Sequence, residues 1–338
     1  MEDIISKYFG VEMVSSIKDS QYPRYHGKDG LLYTIVNVTN TSQEYLVELY
    51  KMTDHLKTSG DLYVSSFVQS IDNKFLITKD DQDYVLLQNK KRLRPKDKQI
   101  GRKLAKFHFR GRAIQDKVEF TSRIGKWHEL WEKRVNQLEN ACASIVHSGP
   151  TEEFDRLVAD AFPYYLGLAE NAIQYLVDTE IEGEPEREDA GTVCHARFSN
   201  HSWGKEYWIR FPFDWVFDHA SRDIADWMRA QYLTRNRTYI PDIQKFVQDY
   251  QTITPLSSFT WRLTYARLLF PLHFFEVVEE YYTSKTDHHR HEISDKLERY
   301  LKFSGDFERF LGSFFDIVQV PVYSRNIPRI DWLSTSNK

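Results

Sequence analysis

The chain has 338 residues, 41% hydrophobic and 15% aromatic, enough for two lobes with cores of their own. Its 45 basic residues face 49 acidic ones, a net charge of −4, so charge points to neither nucleic acid nor an anionic membrane as partner. The start, Met-Glu-Asp-Ile-Ile-Ser-Lys, has no basic segment before an apolar run, and no stretch is apolar for the length of a bilayer span. Secretion and membrane insertion are therefore not expected, and Cys142 and Cys194, both in apolar surroundings, read as free thiols.

Residues 1–90 read as a small β-rich lobe. Residues 4–14 predict a short amphipathic helix ending near Gly10, alone or followed by a strand. Residues 22–30, with Pro23, Gly27 and Gly30, read as a turn, and the β-branched 31–38 as a strand. Thr41 or Ser42 caps a helix to about Ser59, with Leu46, Leu49, Tyr50, Thr53 and Leu56 on its buried stripe and Gly60 as its stop. Strands follow at 62–69, 75–78 and 84–87, separated by Asp-rich turns.

Residues 90–112 form a basic run, Lys90, Lys91, Arg92, Arg94, Lys96, Lys98, Arg102, Lys103, Lys106, Arg110 and Arg112 against Asp97 alone. It reads as a solvated helix face in preference to a docking surface for an acidic partner. Ile100, Leu104, Phe107 and His108 give that helix an apolar stripe, with His108 as a core histidine. Residues 120–178 have helical spacing throughout. Residues 178–189 carry seven carboxylates with Gly183 and Pro185 among them, and read as a solvated loop in preference to a cation-recognising one.

Residues 191–227 predict a short apolar strand, a polar loop, a second strand, an Asp-bearing turn and a helix. That is the layout of a phosphotransfer centre, in which a loop Asp meets the substrate hydroxyl, an Asn holds magnesium, and a later Asp holds magnesium against the phosphates. Residues 240–338 are mostly helical, with Pro241 at a helix start and Pro271 as a kink or break. His288, His289 and His291 read as exposed residues of a polar loop, and the tail from Pro321 as an extended arm that packs Trp332.

Three segments carry a family resemblance: His195 with Asp218-His-x-x-Arg-Asp-Ile-Ala225, Leu104-Ala-Lys-Phe-His108, and Tyr265-Ala-Arg-Leu-Leu-Phe-Pro271. On these the chain resembles the CotS-type spore coat proteins, within the aminoglycoside-phosphotransferase and choline-kinase group. The resemblance implies an α+β, protein-kinase-like fold of the aminoglycoside-phosphotransferase type. A small lobe at 1–90 would join a large helical lobe at 91–338, which holds the catalytic-loop-like hairpin at 191–218.

The chain departs from the family pattern where the chemistry lies. His-Gly-Asp is His195-Ala-Arg197, the Asn falls on Ser202 or Asn200, and Ile-Asp-Phe-Asp is replaced by Ile209-Arg-Phe-Pro-Phe-Asp214. Arg197 stays charged and cannot act as a general base. Val36 or Asn37 stands where the family strand has its Lys, no Gly-rich phosphate loop is present, and Glu44 and Glu48 read as solvated. The degenerate loop positions are thus His195, Arg197, Asn200 and Ser202, with Asp214 as the candidate metal ligand.

The resemblance implies a kinase-like coat protein, and the missing residues imply that it works without phosphotransfer and with no cofactor. It would be made in the mother-cell cytoplasm and bind other coat proteins as the coat assembles. The alternative is an active small-molecule phosphotransferase that uses Mg-ATP with relocated residues. A small-molecule ligand in the interlobe cleft is compatible with both.

Overall fold

The computed structural model describes residues 1–18, 21–95, 99–235 and 238–335. The chain divides into two compact units. Unit 1 is 1–123, 190–223 and 248–254; unit 2 is 124–189, 224–247 and 255–338. Unit 1 therefore takes in the basic helix and the hairpin as well as residues 1–90.

Unit 1 opens with α1 (Glu2–Phe9) and β1 (Met13–Ile17), so the first segment is a helix followed by a strand. Then come β2 (Arg24–Gly27), β3 (Leu31–Asn37), α2 (Gln43–Thr58), β4 (Ser66–Val68), β5 (Leu76–Lys79), β6 (Gln82–Lys90) and α3 (Ile100–Arg112). The stretch expected as one turn contains β2, with the chain reversal between β2 and β3 at residues 28–30. The sheet is antiparallel, in the order β1-β2-β3-β6-β4 with β5 also on β6. Asp80 and Asp81 both take positive φ between β5 and β6, the backbone that closes a two-residue hairpin.

The period-two alternation of β3 and β6 builds a core on each face of the sheet. Tyr33, Ile35, Tyr84 and Leu86 pack with Ile4, Ile5 and Phe9 of α1. Leu32, Val36, Val85 and Leu87 pack with Ile209 and Phe211. On α2, Ser42 Oγ accepts from Tyr45 N, and Leu49, Thr53 and Leu56 are buried. Leu46 is half-buried and Tyr50 largely exposed.

The hairpin of unit 1 is β7 (Thr192–His195) against β8 (Trp215–Asp218), so the second strand lies later than Trp208. Residues 208–210 join the sheet side instead. Arg210 N donates to Tyr63 O, Ser65 N to Arg210 O, and Trp208 N to Arg92 O. Helix α3 lies close on β7, where a Cβ on Gly111 would come within 2.4 Å of Thr192 Oγ1 and 2.7 Å of the Val193 amide nitrogen.

Unit 2 is helical: α4 (Trp127–Ser148), α5 (Glu153–Glu182), most of α6 (Ser221–Arg235) and α7 (Ile240–Gln251), α8 (Ser258–Leu269), α9 (Leu272–Thr283), α10 (Asp287–Lys302), α11 (Ser304–Gly312), α12 (Phe314–Ile317) and α13 (Asp331–Thr335). Its core is aromatic, with Trp131 stacked on Phe270 and Trp227 on Phe246. No helix of the described residues is long and apolar enough to cross a membrane.

Three expectations change here. The acidic stretch is not one loop: α5 runs through Glu182, and Glu182 pairs with Arg262. Asp189 is buried, accepting from Ser257 Oγ and Thr260 Oγ1 at the start of α8 and from Glu186 N. His288, His289 and His291 lie in α10, where His288 faces Glu292 and His289 lies near Glu280 and Glu292. The tail is anchored by Leu333, which is fully buried, while Trp332 is 38% exposed, because the end coils into α13 and only one side of a helix can face the core.

Candidate functional site

The centre of unit 1 is a buried hydrogen-bond chain. The Asp223 carboxylate accepts His195 N at 2.9 Å on one oxygen, and His195 Nδ1 at 2.6 Å and His108 Nε2 at 3.1 Å on the other. Trp203 Nε1 donates to His195 Nε2 at 2.9 Å, and the Tyr250 hydroxyl lies 2.9 Å from His108 Nδ1. Indole N–H only donates, so His195 Nε2 is the acceptor of that bond and Nδ1 faces the Asp223 carboxylate. Burial works to raise the Asp223 carboxyl, but the pull of His195 and the hydrogen bonds from both rings outweigh it and hold the group well below the usual carboxylate range. Burial pushes the His108 ring down to about 4 against the pull of Asp223.

Cys194 Sγ lies 3.9 Å from His108 Nε2 and donates to the carbonyls of Asp218 and His219. Burial pushes this thiol well up, so it stays protonated. Cys194, His108 and Asp223 converge closely enough to hold a metal in principle. Each is already committed inside the chain, and three groups leave a tetrahedral site one ligand short.

The catalytic-loop positions are placed as follows. Arg197 is exposed, and its Nη1 donates to the carbonyl of Ala196 at 2.8 Å. The carbonyl of Asn200 accepts from Arg94 Nη2. Ser202 Oγ accepts from Ser199 N and donates to Arg197 O, which closes the loop on itself. Asp214 ends a short 3-10 turn (Pro212–Asp214), and its carbonyl accepts Ala196 N at 2.7 Å. Its side chain lines a pocket of about 270 Å³ with Tyr22, Arg24, Ser202 and Phe211 among others. Burial raises the Asp214 carboxyl, with His195 and Arg24 acting in the opposite direction.

The pocket tests the fit of a magnesium-bound nucleotide. Such a ligand asks for an Asn and an Asp on the metal and a loop whose backbone can approach phosphate. Among the described residues the lining supplies one carboxylate, Asp214. The segment between β1 and β2 contains no glycine, and Tyr22 within it lies tilted against Phe211 with ring centroids 4.9 Å apart and 6.4 Å from Phe213. These residues do not fit the family's ligand.

Other parts of the expected centre are used elsewhere. Glu48 is not solvated. It is buried, and its carboxylate accepts the amides of Glu119, Phe120 and Thr121 and the Thr121 hydroxyl. Burial alone would raise this carboxyl, and the three amides outweigh it and lower it. Glu44 is exposed, Val36 is buried, and Asn37 bonds Gln82.

Arg210, at the first Asp of the family pattern, is also buried and pairs with Asp61, which Arg110 meets as well. Its guanidinium lies over the rings of Trp203 at 4.5 Å and Phe107 at 5.0 Å, and burial lowers it to about 9. The readable signal was an Arg inside the apolar run 208–211. The basic run is only partly a solvated face. Arg94 and Arg110 are engaged as above and Lys103 lies over Trp208, while Arg102 and Lys106 are exposed. Lys96, Asp97 and Lys98 lie outside the described residues.

Comparison with known proteins places this frame. Residues 2–314 match the family described as "Spore coat putative kinase YutH". The chain belongs to the YutH family of spore coat kinase-like proteins. It is 42% identical over 301 residues to the endospore coat-associated protein YutH of Bacillus subtilis strain 168, covering 89% of this chain and 88% of the relative. Among solved structures it is similar to an aminoglycoside phosphotransferase from Alicyclobacillus acidocaldarius, with a TM-score of 0.67 at 16% identity over 91% of this chain and 93% of that one. It is also similar to a microcompartment-associated aminopropanol kinase, with a TM-score of 0.56 at 14% identity over 88% and 96%. At these identities the two structures establish the fold of the YutH-family chain, and that fold is kinase-like.

Proposed function

We propose that this protein is a component of the spore coat that keeps a kinase frame without phosphotransfer and acts by binding other coat proteins during assembly. Arg197 carries the reading. A guanidinium stands at the position of the catalytic base and donates to the neighbouring carbonyl, and it has no lone pair with which to take a proton from a substrate hydroxyl. The packing of Tyr22 against Phe211 and the commitment of Glu48 to residues 119–121 support the same reading. The assignment to the coat rests on the Bacillus subtilis relative, and synthesis in the mother-cell cytoplasm is carried over from the family resemblance.

The test combines a phosphotransfer assay with complementation. Purified protein with Mg-ATP and a panel of small amines and alcohols is expected to release no ADP. A host strain lacking the gene is expected to regain its coat with Asp214→Ala as well as with the wild type. ADP release that disappears in Asp214→Ala would overturn the proposal in favour of an active kinase with relocated residues.

A further inference from the structure

The exposed side of α3 mixes charge with apolar surface in a way that solvation by itself does not account for. Arg102, Lys106 and Phe109 follow one another at helical spacing along that side, and Phe109 is 62% exposed. The side chains of Arg102 and Lys106 make no hydrogen bond or ion pair among the described residues. Residues 59–63 run alongside the helix. Arg110 Nε donates to Ser59 O and its Nη1 to Asp61 Oδ2, while Tyr63 packs on Trp208, over which Lys103 lies. Leu62, between those two anchors, is also 62% exposed, and the helical turn places Lys106 between it and Phe109. The face is therefore cationic with two large apolar side chains in it, as a binding surface is. The end of α5 has the opposite character. Ile181 is 76% exposed, and Glu180, Glu184 and Glu186 around it are exposed, with side chains that make no hydrogen bond or ion pair among the described residues. The match extends to the sequence on either side. Residues 90–112 hold eleven basic residues and one acidic, and residues 124–189 hold fifteen acidic and five basic, an excess of ten charges of each sign.

We infer that copies of this chain associate head to tail, the α3 face of one copy docking on the end of α5 of the next. The carboxylates of Glu180, Glu184 and Glu186 meet Arg102 and Lys106, and Ile181 is buried against Phe109 and Leu62. Pairing of α3 with α3, or of α5 with α5, is opposed by like charge. Because the two faces differ, every pairing leaves one face of each copy open, and association continues past a dimer into a ring or a filament. A face about one helix wide is small for an interface, so the association belongs to the weak class, in which many copies add up to an assembly. The inference rests on the reading of this protein as a binding component of the coat, and it names a second copy as one of the partners.

The test is sedimentation of the full chain at up to about 100 µM, in about 0.05 M and about 0.5 M salt, where charge pairing is weakly and strongly screened. The average mass is expected to rise past that of a dimer with concentration at low salt and to fall toward the monomer at high salt. Two double variants, Arg102→Glu with Lys106→Glu and Glu180→Lys with Glu184→Lys, are each expected to weaken association about tenfold or more. Their melting temperatures are expected to match the wild type, because all four side chains are exposed. Mixing the two variants is expected to restore association, since the reversed faces match each other again. A monomer at every concentration, association that neither reversal weakens, or a mixture that stays dissociated overturns the inference. A monomer that binds poly-L-glutamate through Arg102 and Lys106 overturns it in favour of an acidic partner of another sequence. A chain that stays monomeric yet restores the coat in the complementation assay removes the head-to-tail contact and leaves the coat-binding reading standing.

Discussion

Asp223 holds His195 twice: one carboxylate oxygen takes the backbone amide at 2.9 Å and the other takes ring Nδ1 at 2.6 Å. The loop that follows His195 therefore leaves β7 in one direction whatever residue stands at position 197. Asp223→Asn keeps the size and removes the charge. It cannot accept from the ring, the amide and His108 together, because one of its two groups is a donor. The expected cost is about 3 kcal/mol, read as a lower urea midpoint with an unchanged slope.

The pH dependence follows from the same cluster. In the folded chain His108 is held down to about 4, so between that value and the ordinary histidine range near 6.5 the unfolded chain binds more protons. Stability should therefore fall as pH drops from about 6.5 to about 4, by roughly 3 kcal/mol from this group. Asp223, held below the usual carboxylate range, adds a further loss that begins only as pH falls through that range. His108→Gln should flatten the upper part of the profile. Urea midpoints taken across this range in both proteins check it, and parallel curves would rule out His108 as the source.

Arg210 and Asp61 should behave unequally as single and paired substitutions. Asp61→Ala leaves a guanidinium buried without its carboxylate and should cost about 3–5 kcal/mol. Combining Asp61→Asn with Arg210→Met should cost much less than the sum of the two single changes, since neither charge is then stranded. Arg110 also meets Asp61, so the cycle should be repeated in Arg110→Lys to separate its share.

Glu48→Gln should loosen one segment and leave the rest of the fold in place. The carboxylate is the acceptor for residues 119–121, and an amide side chain offers one acceptor oxygen in place of two. The expected loss is about 2 kcal/mol, with faster amide exchange confined to 119–121. Uniform loss of protection across unit 1 would contradict a local role.

Local pattern carried most of the element order. The alternation in residues 31–38, the Ser42 cap and the helical spacing of 120–178 all point to structure that depends on near neighbours in the chain, and it forms, except that the helices of 120–178 begin only at Trp127 and break at 149–152. The errors share one cause. The carboxylate of Glu48 meets residues 71–73 positions away, Asp189 meets Ser257 68 positions on, and Arg210 meets Asp61 149 positions back. A solvated reading is reasonable for each charge taken alone, because partners at such separations leave no mark on local spacing. The histidines of α10 are a different case. Their polar surroundings suggested a loop, while Thr286 caps a helix by accepting His289 N.

For the candidate site the division is sharper. Set against the family pattern that the chain resembles, the residues showed that position 197 holds a group unable to take a proton, that the β3 strand lacks the family's Lys, and that only Asp214 remains of the carboxylates expected after the loop. Once that pattern is laid on the chain, these conclusions need only the chemistry of each side chain. Tertiary structure decided that Glu48 and Arg210 are spent on internal pairing, that Tyr22 lies against Phe211, and that Arg24 comes to the same pocket as Asp214. Burial and partnership are properties of pairs brought together by folding. They set the charge state and the free hydrogen-bonding capacity of a group, and so they decide which of the residues read from the sequence are left to meet a ligand.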